Sequence, residues 1–168
     1  MHSVPRRLYF VFFLSGAAGL IYEVIWLRHA ALHLGSSSAA IGTVVATFLA
    51  GLAIGGALGG RWMDRAIARG AGFALVAYAV LEIAIGACAG AFEPALSALT
   101  PLLGGLYRSG GESAVAFNLA RAVLCALLLL PPTIAMGATL PILARYSAAR
   151  ADDAAAATGT LYAVNTFG

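Results

Sequence analysis

Hydrophobic residues along the chain gather into long blocks separated by short polar stretches. The first block runs from about Leu8 to Leu34, behind Pro5-Arg6-Arg7. The second runs from about Ala39 to Gly60, after the polar stretch Gly35-Ser36-Ser37-Ser38. The third covers about Ala71 to Leu99, with Pro94 as a candidate end, and the fourth about Ala114 to Leu143. Each exceeds the ~20 residues a helix needs to cross about 30 Å of hydrocarbon. A fifth block opens near Gly159, behind the alanine-biased connector Ala151 to Ala157, and is interrupted at Gly168. Lipid cannot satisfy free backbone groups, so these blocks are expected to be helices. The pattern therefore predicts an all-α integral membrane fold. It is a polytopic bundle with four complete transmembrane helices over 8–34, 39–60, 71–99 and 114–143, and an incomplete fifth over 159–168. A basic start before an apolar run also describes a signal peptide, but this run is too long for one and further spans follow. The first helix is read as an uncleaved signal that stays in the membrane.

Composition sharpens that picture. Of 168 residues, 61% are hydrophobic and 10% charged, against about a quarter charged in soluble domains. The mean hydropathy is +0.91. The net charge of +3 does not point to nucleic acid, because Arg6-Arg7 is the longest basic run. All the basic residues are arginine, which together with the abundant Ala and Gly is the mark of a GC-rich genome. Cys88 and Cys125 lie inside apolar runs without a CxxC pair, and are read as small hydrophobes.

Arginine placement gives an orientation. Arg6, Arg7, Arg61, Arg65, Arg69, Arg145 and Arg150 fall on one side of the membrane. The opposite loops hold Arg108, while Arg28 and Arg121 lie within spans. The positive-inside rule makes the N-terminus and the arginine-rich loops cytoplasmic, with the bacterial inner membrane as the expected location.

Several residues inside the spans invite a role. Gly51, Gly55 and Gly59 form a stripe on helix two, shadowed by Gly56 and Gly60. Such a stripe lets another helix approach closely, either from the same chain or from a second copy in a homo-oligomer. Gly16, Gly19, Glu23 and Trp26 share a face of helix one, which turns Glu23 into the bundle. Helix four is expected to kink or break at Pro131-Pro132, with Gly137 and Pro141 beyond. Broken helices line substrate sites in transporters, and plain kinks are common too.

Glu23, Arg28, Glu82 and Arg121 lie well within spans, Glu93 nearer an outer end, and Asn118 one turn before Arg121. A charge in hydrocarbon costs at least about 2.5 kcal/mol, so these groups should face the bundle interior. Two readings stand side by side. Glu23 and Glu82 line a cavity that binds a cation, or the two acids neutralise the two arginines. Glu23 and Arg28, five apart, point to different faces and cannot pair along one helix. His29 and His33 share a face near the outer end, yet no nearby Asp, Glu or Cys along the sequence completes a metal site.

The segment Gly60-Arg61-Trp62-Met63-Asp64-Arg65, followed by Arg69, resembles the cytoplasmic signature of the major facilitator superfamily. Gly60, Asp64, Arg65 and Arg69 match, while Ile67 stands where that signature has glycine. A broader resemblance rests on four ordered stretches. These are Phe13 to Arg28, reading FLSGAAGLIYEVIWLR; Phe48 to Asp64; Leu130-Pro131-Pro132-Thr133 through Met136-Gly137-Ala138-Thr139-Leu140-Pro141; and Leu161 to Gly168, reading LYAVNTFG. Together they resemble the membrane region of spermidine-synthase-like membrane proteins, also described as fused major facilitator/spermidine synthase proteins. The resemblance implies a major-facilitator-like bundle within a longer protein. It also implies a soluble aminopropyltransferase-like domain that uses decarboxylated S-adenosylmethionine to alkylate putrescine. That domain is not in this sequence, so no catalytic residue and no cofactor site is carried over. The resemblance leaves three expectations: a membrane domain that anchors or moves a polyamine-related solute, a stand-alone transporter module of major-facilitator type, or a structural anchor and assembly partner. The partners expected are the lipid bilayer and the remaining helices or soluble domain of a longer product.

Overall fold

The computed structural model describes residues 4–34, 38–66, 70–109 and 114–168, and the secondary structure among them is helical. Five helices follow one another: α1 (Arg6–Leu34), α2 (Ser38–Ala66), α3 (Ala71–Ser109), α4 (Ala114–Ala148) and α5 (Ala154–Phe167). Arg6–Leu32, Ile41–Ala66, Gly72–Pro101 and Ala122–Ala148 are each long and apolar enough to cross a membrane.

Helix ends depart from the hydropathy blocks for identifiable reasons. α2 continues past Gly60 to Ala66, because Met63 and Ala66 are buried and Arg65 favours the negative end of the helix dipole. The Gly60, Asp64 and Arg65 positions of the signature therefore lie on the last turns of a helix, where a loop was expected; Arg69 lies outside the described residues. α3 carries Pro94 and Pro101 inside it and runs on to Ser109, so Pro94 ends nothing. α5 begins at Ala154, earlier than Gly159, because Asp153 caps it: its carboxylate accepts from the Ala156 N–H at 2.9 Å.

Of the expected kink or break in α4, a break is not found. The helix is continuous from Ala114 to Ala148 with Pro131, Pro132 and Pro141 inside it. A proline removes one backbone donor, and a membrane helix tolerates this where neighbouring helices pack around it, as α2 and α3 do here. Thr133 donates to the Leu129 carbonyl at 2.8 Å and to that of Leu130 at 3.1 Å. Thr139 donates to the Met136 carbonyl at 2.7 Å.

α4 is the hub of the bundle. It packs most extensively on α2, then on α3, and it also meets α5 and α1. The α2–α4 contact is made by the glycine stripe. A methyl group added at Gly51 would collide with the Thr133 side chain, one at Gly55 with the Ile134 carbonyl, and one at Gly59 with Ala138. Gly137 answers from α4, since a methyl group there would strike the Leu52 backbone. Without a hydrophobic drive in lipid, such close approach supplies the van der Waals contact that holds membrane helices together.

Two buried clusters sit at opposite ends of the bundle. One gathers Phe12, Met63, Tyr78, Ile142, Leu143, Tyr146 and Leu161. The other gathers Trp26, Val44, Phe48, Phe92, Leu96, Cys125 and Leu129. In the second, Trp26 stacks on Tyr22 at 5.6 Å between ring centroids and leans on Phe92 at 5.3 Å. α5 is held to α1 by backbone proximity: Gly16 lies against the Asn165 carbonyl, and Gly168 against that of Phe13.

Candidate functional site

Between the two clusters lies a cavity of about 260 Å³. α1 supplies Ser15, Gly16, Gly19, Leu20 and Glu23, and α2 supplies Phe48, Leu49 and Leu52. Met136 and Thr139 of α4 and Asn165 and Thr166 of α5 complete the wall. Its cause is legible in α1. Bulky Phe12 and Trp26 fill the core at either end, while Ser15 and Gly19 between them leave space. An added methyl group at Gly19 would meet nothing within 4 Å.

Glu23 reaches this cavity from the face it shares with Gly16, Gly19 and Trp26. Among the described residues no basic group forms a salt bridge with it. Arg28 is exposed. The side chains of Asn118, Arg121 and His33 lie outside the described ones. Among the described residues Arg28 forms no salt bridge with Glu23 or Glu82, and the expected pairing with Arg121 lies outside the described side chains. Glu82 instead accepts a hydrogen bond of 2.6 Å from the Ser15 hydroxyl, across α1 and α3.

Ser15 thus touches both acids' surroundings: it lines the cavity that holds Glu23 and it binds Glu82. One turn before Glu82, the Tyr78 hydroxyl lies against Ser15 and Glu82. It is buried and makes no hydrogen bond among the described residues.

The two ends of the bundle carry ion pairs. At the end bearing the signature, Asp64 of α2 pairs with Arg145 of α4, and Arg150 lies over the Tyr146 ring at 4.9 Å. At the other end His29 of α1 pairs through Nε2 with Glu93 of α3, and its Nδ1 faces the Ile25 carbonyl at 2.8 Å. Helix packing thus supplies His29 with the carboxylate that its sequence neighbours lack. Among the described residues no third His, Cys, Asp or Glu joins them. Glu93 is thereby engaged away from the cavity.

Ser15, Tyr78, Thr139, Asn165 and Thr166 were not singled out by the sequence reading of the site. A signal was present for two of them: Tyr78 stands four residues before Glu82, and Ser15 eight before Glu23, both spacings that keep one helix face. Comparison with known protein families, curated proteins and solved structures found no match.

Proposed function

We propose that this chain is the membrane domain of a spermidine-synthase-like protein, and that its bundle holds and moves a small organic cation of the polyamine class. The observation that carries the reading is Glu23: a carboxylate deep in a span, facing a cavity, with no basic partner among the described residues. A charge in hydrocarbon is costly, and a bound ammonium group would offset that cost. Ser15, Thr139, Asn165 and Thr166 add hydrogen-bonding groups around the same space, and Phe48 offers an aromatic face to a cation. The ordered motifs described above supply the solute class. Decarboxylated S-adenosylmethionine enters the chemistry only where a synthase domain is joined to this one. In this reading the N-terminus and the Asp64–Arg145 end face the cytoplasm of a bacterial inner membrane, following the arginines.

A stand-alone transporter of major-facilitator type is the second reading. The Asp64–Arg145 pair favours it, because it ties the signature-bearing end of α2 to the neighbouring end of α4. No comparable observation favours an assembly role for the glycine stripe, whose face is occupied by α4.

The test is binding and uptake of radiolabelled putrescine and spermidine by the whole chain in proteoliposomes. Glu23→Gln should lower affinity by at least about tenfold, the loss of ~1.4 kcal/mol, with unchanged gel-filtration behaviour. Equal binding by the wild type and a well-folded Glu23→Gln protein would remove the reading's support.

A further inference from the structure

Glu82, Ser15 and Tyr78 form a second polar group, which shares Ser15 with the wall that presents Glu23. Three observations bear on it. The Glu82 carboxylate is half-buried and accepts from Ser15 at 2.6 Å. Tyr78 is only 5% exposed, and its hydroxyl lies against the same two side chains without a hydrogen bond of its own. Ser15 belongs at once to this group and to the cavity wall. A buried hydroxyl left without a partner is uncommon and calls for an explanation.

We infer that Glu82 is a proton-binding site, with Tyr78 and Ser15 as the groups that receive its two protonation states. When Glu82 is ionised it accepts from Ser15, as the structure shows. When a proton from water occupies the carboxylate, the new O–H becomes a donor, and the Tyr78 oxygen beside it is an acceptor without another partner. No other covalent bond is made or broken. The Tyr78 hydroxyl, idle when Glu82 is ionised, gains a partner when Glu82 is protonated, and Ser15 is released.

The described groups around Glu82 are these. From α1 the facing polar groups are Ser15 and, further along the cavity, Glu23. The buried cluster that holds Tyr78 of α3 also contains Tyr146 of α4, and Tyr9 of α1 packs against it. Among the described residues no arginine forms a salt bridge with Glu82. Because Ser15 also lines the cavity, protonation of Glu82 releases its hydroxyl to turn toward the cavity. That step links proton binding to solute binding. The link rests on the solute site proposed above; the proton site itself does not.

Infrared difference spectroscopy of the whole purified chain, with pH changed and no solute present, tests the site directly. A carboxylic-acid C=O band should appear on acidification and be lost in Glu82→Gln. It should persist in Glu23→Gln, and its titration should shift in Tyr78→Phe and in Ser15→Ala. The Tyr78→Phe protein removes only the idle hydroxyl and keeps the experiment decisive where Glu82→Gln does not fold. A band unchanged by Glu82→Gln, or a titration identical in the wild type, Tyr78→Phe and Ser15→Ala, overturns the assignment. A titration displaced competitively by sodium overturns it in favour of an alkali-cation site. Amine binding measured on the same proteins separates the two ideas: a band that meets these expectations beside absent amine binding sinks the solute reading alone.

Discussion

At the scale of single residues, the tightest demand falls on Gly55. A side chain there would overlap the Ile134 carbonyl and crowd the Ala138 amide, both backbone atoms of α4 that a rotamer change cannot move. Gly55→Leu must push the two central helices apart. Overpacking typically costs about 1–3 kcal/mol where side chains can adjust, and a backbone obstacle places this substitution at the upper end. Thermal unfolding in detergent should show the loss, while cross-linking between copies should not change, since the stripe faces α4. Gly19→Ala is the control, because its added methyl group enters open space. Residue-scale chemistry was only partly legible in the sequence. Glu23 and Glu82 announce themselves as acids within apolar blocks. Their partners do not: Ser15 reads as one small residue among many until α3 brings Glu82 to it. His29 meets Glu93 across 64 positions of sequence in the same way.

At the scale of elements, hydropathy located every long helix and misplaced most of their ends. The reason is that a span stops being apolar before it stops being helical. α2 keeps its hydrogen bonds through Arg61, Asp64 and Arg65 because those long side chains reach polar surroundings while Met63 and Ala66 stay buried. Prolines misled in the other direction, since α4 runs on through Pro131, Pro132 and Pro141, held by the helices packed around it. The start of α5 is a matter of local chemistry. Asp153 in an extended conformation accepts from Ala156, ahead of a run of alanines with the highest helix propensity. Asp153→Ala should cost about 1 kcal/mol. Hydrogen exchange reads it locally: amides of the first turn, Ala155 to Ala157, should exchange several-fold faster, and those of α2 should not.

At the scale of the whole molecule, the bundle is two packed ends joined through a middle that holds the cavity on its α1 side. Phe12 and Trp26 on α1 mark the ends, about 21 Å apart along the helix at 1.5 Å per residue. The cavity occupies the interval, lined there by Ser15, Gly16 and Gly19. No single stretch of sequence discloses this, because the cavity depends on α5 docking Asn165 against Gly16 and on α2 presenting Leu52 to Gly137. If the ends are independent supports, Phe12→Ala and Trp26→Ala will each destabilise the bundle. Each should cost less than the ~3–5 kcal/mol of a water-soluble core, since lipid chains replace much of the lost apolar environment and only packing is forfeited. Their effects should add to within about 0.5 kcal/mol, as expected for sites sharing no partner. Reversible unfolding of the single and double variants in mixed micelles measures this. A coupling well beyond that margin would mean that the middle transmits strain between the ends. The cavity would then be a rigid part of one continuous core, and unsuited to the change of shape that moving a solute across the bundle requires.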